Sequence, residues 1–452
     1  MSAAPTARAA SAVGMVRGLG LLATVALCVG NMVGTSIYTL PASLAATTGP
    51  FGIVAWAVTA FGYLFVALAY ASLGARHPRT GGPYVFAREA FGDFAGFQTV
   101  WSYWVSCVIG NEAIATGVVG YAVGFSPTLA DSTLLQFLLG QALLWSCCLL
   151  NVVGVQASAR VQVVIMFLNV VPLALVSLAA LTRFDAANLT PFAPKGAGFS
   201  TLAAGAALVV WGYAGVESAT VPAEEVRAPE RTIRLGTLLG YAVGTGVFLL
   251  TALAIAGALP NEAVMSSARP IALVAERTLG PWAGTLIGTT AIIAGMGTLN
   301  GWVLMSGRIP VSAARDGLFF ERLARIHPRF HTPHVALVAG TLVGSLTMLL
   351  YFSKSLLGVF QFVVLLAVLT TLLPHLYSAA AELLLARRDG GDPARARRAQ
   401  WIAGIAFAFL LFTIYGAGAE VVLWGTLVVL GGMPVYVWFK SREQGLAPSA
   451  RE

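Results

Sequence analysis

Long apolar stretches follow one another along the chain, separated by short polar loops. A helix needs about 20 mostly apolar residues to cross the hydrocarbon core of a bilayer. By that measure the pattern predicts twelve membrane-spanning helices, of which the eleventh is the shortest. The predicted spans cover residues 18–46, 51–75, 94–124, 132–153, 161–182, 200–222, 235–259, 281–307, 334–352, 356–385, 401–416 and 421–439. The fold class is therefore an all-α, multi-pass membrane protein.

Composition agrees with this pattern. Of the 452 residues, 58% are hydrophobic and only 10% are charged, whereas a soluble domain carries about 25% charged residues. The 4 cysteines all fall in apolar stretches and suggest neither a disulfide pattern nor a metal pair. The 5 histidines lack zinc-type partners at ligand spacing. We therefore predict neither a metal nor a cofactor.

The basic residues predict the orientation in the membrane. With the N-terminus inside, 22 of the 27 Lys and Arg residues face the cytoplasm and 5 face the other side. Positively charged loops resist translocation, so both termini are predicted to be cytoplasmic, in a bacterial inner membrane. The net charge of +8 then reflects topology, and no nucleic-acid partner is predicted. The first 17 residues lack the features of a removable signal peptide.

Five regions are predicted along the chain. A cytoplasmic tail covers residues 1–17, and a ten-helix transport core covers residues 18–386. A basic linker at residues 387–400 leads to two accessory helices at residues 401–439. A second cytoplasmic tail, residues 440–452, completes the chain.

Two short runs, one in the first and one in the sixth predicted span, resemble each other. Gly34-Thr-Ser-Ile-Tyr-Thr-Leu-Pro41 and Gly215-Val-Glu-Ser-Ala-Thr-Val-Pro222 both begin with glycine and end in Thr-aliphatic-Pro. Glycine permits unwinding and proline removes a backbone donor, so each helix is predicted to be broken within the membrane. Irregular backbone at that depth persists only where it is buried or lines a cavity. Such paired breaks point to the binding site of a secondary transporter.

Three carboxylates lie inside predicted spans: Glu112, Glu217 and Glu382. An intramembrane charge is costly, so an ionisable group there is a functional candidate by default. Glu217, two residues after the second glycine, is the favoured candidate, with a protonated structural acid as the alternative. Glu112 follows Asn111, and adjacent helical residues point about 100° apart. It is equally well explained by a hydrogen bond to another helix. Glu382 is expected to reach water at the cytoplasmic end.

Two tryptophans stand near the predicted breaks. Trp211 precedes the second break and Trp302 lies midway along the eighth span. Most tryptophans of membrane proteins are interfacial anchors or packing residues. An indole face can also attract a cation, so packing and binding remain equally open for both. Cys107 is expected to be a small core residue.

Several further short motifs along the chain accompany the two predicted breaks and the candidate site residues. They are Gly30-Asn-Met-Val-Gly-Thr-Ser36, Leu40-Pro-Ala42, Gly81-Gly-Pro83, Tyr103-Trp104, Ile109-Gly-Asn111, Leu150-Asn-Val-Val-Gly154, Arg160-Val-Gln162, Gly215-Val-Glu-Ser-Ala219, Gly301-Trp302, Asp316-Gly-Leu-Phe319 and Pro374-His-Leu-Tyr377. Through them the chain, over residues 18–439, resembles the amino acid–polyamine–organocation transporters. It is most similar to the branch of bacterial arginine/agmatine and lysine/cadaverine antiporters.

The resemblance implies a fold and a set of site residues. The fold is a core of 5+5 inverted-repeat helices with helices 1 and 6 broken, plus two accessory helices, and in many members a homodimer. The implied contacts to the substrate carboxylate are Gly34, Thr35 and Ser36, and those to its ammonium group are Trp211 and Ala214. The implied side-chain pocket is Ser106, Cys107, Asn111, Ile114 and Trp302. Proton coupling and gating would fall to Glu217 and Tyr103.

The chain also departs from the family pattern. Thr35 stands where a second glycine is usual in the first break, and Glu112 is an additional carboxylate. Ser106 replaces a smaller residue and Ile114 a methionine, while residues 363–367 replace small polar residues of span 10. These departures favour a basic or polar amino acid without singling out arginine.

Three hypotheses follow for function. The favoured one is an exchanger of a cationic amino acid of the arginine, ornithine or lysine type for its amine product or another amino acid. The alternative is a proton-coupled uptake permease for neutral amino acids. The third, a membrane enzyme or sensor, lacks support, because the chain has neither a clustered nucleophile and base nor a long soluble segment. The predicted partners are the lipid bilayer and a small amino acid or amine.

Overall fold

The computed structural model describes residues 17–267, 269–349, 356–389 and 392–445. Within these ranges the chain is helical apart from loops, short 3-10 turns and one isolated β-bridge, and no strand is formed. The prediction of an all-α protein is confirmed. Proline occupies one of the first two positions of several helices, where its missing N–H costs no hydrogen bond.

Nine helices form the first half of the described chain. They are α1 (Leu21–Val33), α2 (Thr35–Thr48), α3 (Gly52–Arg76), α4 (Pro83–Phe91), α5 (Asp93–Val123), α6 (Pro127–Ala130), α7 (Thr133–Val153), α8 (Val155–Leu181) and α9 (Phe199–Tyr213).

Nine more follow. They are α10 (Pro229–Ala258), α11 (Asn261–Met265), α12 (Pro270–Leu279), α13 (Pro281–Arg315), α14 (His334–Thr347), α15 (Leu356–Arg388), α16 (Pro393–Ala417), α17 (Ala419–Leu430) and α18 (Met433–Gly445).

Ten helical segments of the described chain are long and apolar enough to cross a membrane. The first, Leu21–Arg76, is 56 residues long and contains α1 to α3, far more than the roughly 20 residues of one crossing. The apolar helix α14 is shorter and was predicted to reach residue 352, but residues 350–355 lie outside the described residues. The chain is thus a multi-pass membrane protein, and the count of twelve spans stays a prediction.

Most of the predicted basic linker at residues 387–400 is helical, and its role between the core and the accessory helices stays a prediction. Helix α15 continues to Arg388, and α16 begins at Pro393. The side chain of Asp392 accepts a hydrogen bond from the N–H of Ala394 and so caps α16. A capping aspartate followed by proline, arginine and alanine is a strong helix start. Residues 390–391 lie outside the described residues.

The twelfth predicted span is divided into α17 and α18. A Cβ placed on Gly432 would lie 2.7 Å from the ring of Trp101. The Trp101 indole donates a hydrogen bond of 2.9 Å to the carbonyl of Val428. Close approach of this ring accounts for glycine at the interruption.

Helices α1, α5 and α13 are among the most buried parts of the bundle. Helix α13 packs against α5 and α8, and α10 packs against α1 and α3. Large apolar side chains remain exposed on the outer helices, among them Leu134 and Leu138 of α7 and Leu423 of α17. Such side chains suit contact with lipid, while the polar groups of the inner helices face one another.

A candidate substrate site at two interrupted helices

The first interruption is a single residue, Gly34, between α1 and α2. The hydroxyl of Thr298, on α13, donates a 2.7 Å hydrogen bond to the carbonyl of Gly30. A Cβ on Gly34 would lie 1.4 Å from that Thr298 oxygen, so only glycine fits here. Across the break, the Ser36 hydroxyl donates to the carbonyl of Met32 at 2.7 Å. The predicted break in the first span is present, and α13 packs directly into it.

The second interruption is much longer. Helix α9 ends at Tyr213, and the next α-helix begins at Pro229. Ala214 turns to ψ 130°, and Gly215 takes φ +111°, a left-handed conformation that favours glycine. Only short 3-10 turns interrupt the irregular backbone that follows. The predicted break in the sixth span is therefore present as well.

Asn31, on α1, joins the two interruptions. Its side-chain nitrogen donates to the Ser218 hydroxyl at 2.8 Å. A Cβ on Gly215 would lie 2.7 Å from the Asn31 Cβ, and one on Gly301 would lie 1.9 Å from its side-chain oxygen. The indole of Trp302 donates to the Asn31 carbonyl at 3.3 Å. The sequence alone predicts no role for Asn31, although an amide within an apolar span is a signal that could have pointed to it.

Glu217 lies in the second interruption, and its carboxyl group is held on both oxygens. The Tyr103 hydroxyl donates to Oε1 at 2.5 Å, and the N–H of Gly215 donates to Oε2 at 3.0 Å. Glu217 is 0% exposed. The structure thus brings together the two residues predicted for proton coupling and gating.

His375, on α15, is a second titratable group beside Glu217, and the sequence alone predicts no role for it. Its Nε2 lies 4.0 Å from Oε2 of Glu217, and both side chains are fully buried. Its Nδ1 shares a 2.7 Å hydrogen bond with the Tyr70 hydroxyl. Nε2 has no hydrogen-bond partner among the described residues. The missed signal was an ionisable side chain inside an apolar span.

The two candidate tryptophans both contact α5. Trp302 is 7% exposed and packs edge to face against Tyr103, with ring centroids 6.5 Å apart. The ring of Trp211 lies against Gly110, the residue before Asn111 on α5, since a Cβ on Gly110 would be 3.5 Å from it. The indoles of α9 and α13 therefore both contact the helix that carries the predicted side-chain pocket.

The pocket residues on α5 differ in what they can offer a ligand. The Ser106 hydroxyl donates to the carbonyl of Ala367 at 2.8 Å and also bonds the Thr371 hydroxyl, so its proton is committed to α15. Cys107 and Ile114 are buried apolar contacts. Asn111 is buried too, but its side-chain oxygen has no partner among the described residues. Asn111 thus keeps an acceptor that a ligand could use.

The other two intramembrane carboxylates have opposite surroundings. Glu382 is buried and bound by the Arg76 guanidinium, so the expectation that it reaches water is wrong. A buried carboxylate requires such a partner, and α3 supplies it here. Glu112 is 2% exposed, and its Oε1 has no hydrogen-bond partner among the described residues. The interhelical hydrogen bond considered for Glu112 is therefore not made at that oxygen.

A buried ion pair links α13 to the segment that follows the second interruption. Arg308 of α13 binds Glu225 through two hydrogen bonds, of 2.6 and 3.2 Å, with side-chain exposures of 0% and 1%. The carbonyl of Glu225 also accepts hydrogen bonds from the N–H groups of Gly18 and Leu19, each at 2.9 Å. The start of the described chain, the segment after the second interruption and α13 are thus joined.

More ion pairs surround this one. Arg315 binds Glu224 at 3.0 Å, and Asp316 binds Arg88 at 2.6 Å and the Tyr84 hydroxyl at 2.9 Å. Together with the buried Arg308–Glu225 pair, these partly exposed pairs form a cluster of opposite charges, which we call the charged seal.

The same end of the molecule carries a hydrogen-bonded pair of a histidine and a glutamate outside the apolar helices. Nδ1 of His77 lies 2.6 Å from Oε2 of Glu89. This hydrogen bond raises the pKa of His77 and lowers the pKa of Glu89. The pair therefore favours the charged forms of both groups.

Comparison with known proteins agrees with this architecture. The sequence profile of a family described as amino acid permease matches residues 19–438. The chain belongs to the amino acid permease family.

Similar proteins indicate which branch of this family the chain resembles. The chain is 27% identical to the putrescine transporter PotE of Escherichia coli (strain K12), over 92% of this chain and 95% of that protein. It is 30% identical to the cadaverine/lysine antiporter of the same strain, over 80% and 82%. A provisionally named arginine/ornithine antiporter of Bacillus subtilis (strain 168) is 28% identical over 93% and 96%. The predicted resemblance to the basic amino acid and polyamine antiporters is confirmed.

Proposed function

We propose that this protein is a secondary active exchanger. It takes up a cationic amino acid of the arginine, ornithine or lysine type in return for its decarboxylated amine or another amino acid. The observation that carries the proposal is the meeting of two interrupted helices at Asn31, beside the buried carboxyl group of Glu217. The names of the relatives, which include amino acids and the amines derived from them, support the substrate class.

The amino acid backbone of the substrate would bind between the interruptions. The first N–H groups of a helix carry partial positive charge, so the start of α2 at Gly34, Thr35 and Ser36 suits a carboxylate. The last carbonyls of a helix carry partial negative charge, so the end of α9 around Trp211 and Ala214 suits an ammonium group. Two half-helices of opposite polarity would thus recognise a zwitterion.

The distal cationic group would lie against α5 and α13. The unpartnered oxygen of Asn111 could accept a hydrogen bond from it, and the face of Trp302 could attract its charge. Cys107 and Ile114 would shape the apolar wall. Ser106 would contribute shape alone, because its proton is already committed to α15.

Glu217 would couple proton movement to exchange. Ionised, it accepts hydrogen bonds on both oxygens, from Tyr103 and from the Gly215 N–H. A proton on Oε1 would turn that oxygen into a donor, so Tyr103 would have to reverse its hydrogen bond or move away. His375, 4.0 Å from Oε2, would be a partner for that proton. The protonation state would thereby shift the balance between conformations.

The proposed architecture is the one that the resemblance implies. Twelve spans, ten of them in 5+5 inverted-repeat halves, would cross the bacterial inner membrane with both termini in the cytoplasm. The charged seal would then be the cytoplasmic gate, and alternating access would open it while the opposite side closes. A homodimer is part of the same proposal.

Counterflow in proteoliposomes tests the exchange. Purified protein would be reconstituted into vesicles loaded with millimolar arginine, ornithine, lysine, agmatine, putrescine or cadaverine, with radiolabelled arginine or ornithine outside. We expect a matching internal amine or amino acid to drive label entry several-fold above empty vesicles. Absence of counterflow for every pair would refute the exchanger.

A second candidate is proton-coupled uptake of neutral amino acids. Thr35 replaces the usual second glycine, and its methyl group lies near Gly117 of α5 and Gly295 of α13. A pocket narrowed there would favour a smaller substrate. In the same vesicles, this candidate predicts that an inward proton gradient drives entry of alanine or leucine without any internal substrate.

A further inference from the structure

A cavity of about 280 Å³ opens between α3, α10, α15 and α16, away from the interrupted helices. Its polar lining consists of the side chains of Arg76, Arg234, Arg395 and Arg398, with Glu382 and Ser72. Four arginines thus converge on one concavity that contains a single carboxylate.

Within the described part of the chain, Arg76 is the one arginine of the four that makes an ion pair. Glu382 is bound by Arg76, which also binds Asp389 at 2.5 Å. Among the described residues, Arg234, Arg395 and Arg398 form no ion pair. Like charges that converge without counter-ions repel one another, so an anion in the cavity would relieve the repulsion.

Three of the four arginines have an apolar residue of the cavity lining further along the same face of their helix. Arg234 and Leu238 are one turn apart on α10, as are Arg398 and Ile402 on α16. On α3, Leu68 lies two turns before Arg76. Residues four apart share a helix face, so the cavity is basic at the helix ends and apolar further in. A ligand that fits it has an anionic head and an apolar body.

We propose that this cavity binds the headgroup of an anionic phospholipid. The phosphate would lie among Arg234, Arg395 and Arg398, and the glycerol and upper acyl chains would cover the apolar side chains. Basic pockets between transmembrane helices at the cytoplasmic side suit such headgroups, and guanidinium groups match phosphate geometry. The proposal rests on the membrane location of the chain and is independent of its transport substrate.

Binding of purified full-length protein to phosphatidylglycerol, measured by native mass spectrometry, tests the proposal. The variant R234Q/R398Q removes one cavity arginine from α10 and one from α16. Its matched control, R231Q/R397Q, removes one exposed arginine from each of the same helices outside the cavity lining. We expect R234Q/R398Q to weaken binding by about 30-fold and the control to change it by less than about twofold. Both pairs are exposed, so both proteins should fold. The single variant R395Q replaces R234Q/R398Q if that protein does not fold, and R231Q alone replaces the control.

Three outcomes would overturn the proposal. Equal losses in the two double variants would mean that net charge, and not the cavity, attracts the lipid. Equal binding of phosphatidylcholine would remove the requirement for an anionic headgroup. Displacement of the lipid by millimolar inorganic phosphate would assign the cavity to a soluble anion. None of these outcomes depends on transport, so each is separable from failure of the exchanger proposal.

Discussion

The two interrupted helices meet at Asn31, yet they are built differently. The first is one residue wide, bears no charged group and is determined by contact with Thr298. The second leaves residues 214–228 without an α-helix and carries Glu217 and Glu225. Shape determines the first interruption, and polar chemistry determines the second. Under the proposed function, the first interruption would position the substrate and the second would respond to protons.

The largest effect is expected from Gly34→Ala. A Cβ there would lie 1.4 Å from the Thr298 oxygen, so α13 or α2 must shift. A displacement of about 1 Å at a binding site can cost about 100-fold in activity, and we expect counterflow to fall by about that factor. The double variant G34A/T298G should recover part of it. Gly404→Ala on α16, with open space around its Cβ, is the control. Full counterflow in G34A would disprove that shape determines this interruption.

The next effect concerns Glu217→Gln. Glutamine cannot titrate but can still accept the hydrogen bond from Tyr103, so the fold should persist. We expect exchange measured between pH 5.5 and 8 to vary by less than about twofold, whereas the unmodified protein should show a clear pH dependence.

Two further variants sharpen this result. Glu112→Gln removes the buried carboxylate whose Oε1 has no hydrogen-bond partner among the described residues, and it should leave the pH profile unchanged. His375→Gln should displace the profile if the histidine shares the proton. If the pH profile of E112Q were flat and that of E217Q unaltered, the proton-coupling group would be Glu112 on α5 and not Glu217.

The smallest effect is expected from Trp302, which touches the first interruption through Asn31. A cation–π contact would make Trp302→Leu weaken arginine affinity by about 3- to 30-fold. Trp302→Tyr keeps a π face and should lose less. Scintillation-proximity binding measures both affinities. Equal losses would show that the ring only packs against Tyr103.

Much of the fold could be predicted from the sequence. Glycine and proline restrict the backbone wherever they occur, so Gly34 and Gly215 revealed both interruptions without tertiary information. Hydrophobic length revealed the apolar helices in the same way. The ends of the helices were harder to predict from the sequence. Asp392 caps α16 and so begins this helix inside the segment predicted as a basic linker.

The site was only partly predictable. Glu217 was predictable from the free-energy cost of an ionisable group inside the membrane, and the family resemblance implied roles for both Glu217 and Tyr103. Asn31 and His375 depend on contacts between residues more than 100 positions apart, which no local pattern reports. The error on Glu382 has the same origin, since its partner Arg76 is remote in sequence.

The Arg308–Glu225 pair has a consequence for how the protein can move. Separating two buried opposite charges costs several kcal/mol unless water reaches both. Any motion that opens this face must therefore either carry α13 and the segment around Glu225 as one rigid unit, or hydrate both partners at once. Partial opening is disfavoured in either case, so if this face is the proposed gate, the cost of an unpaired arginine would suppress leakage of ions through it.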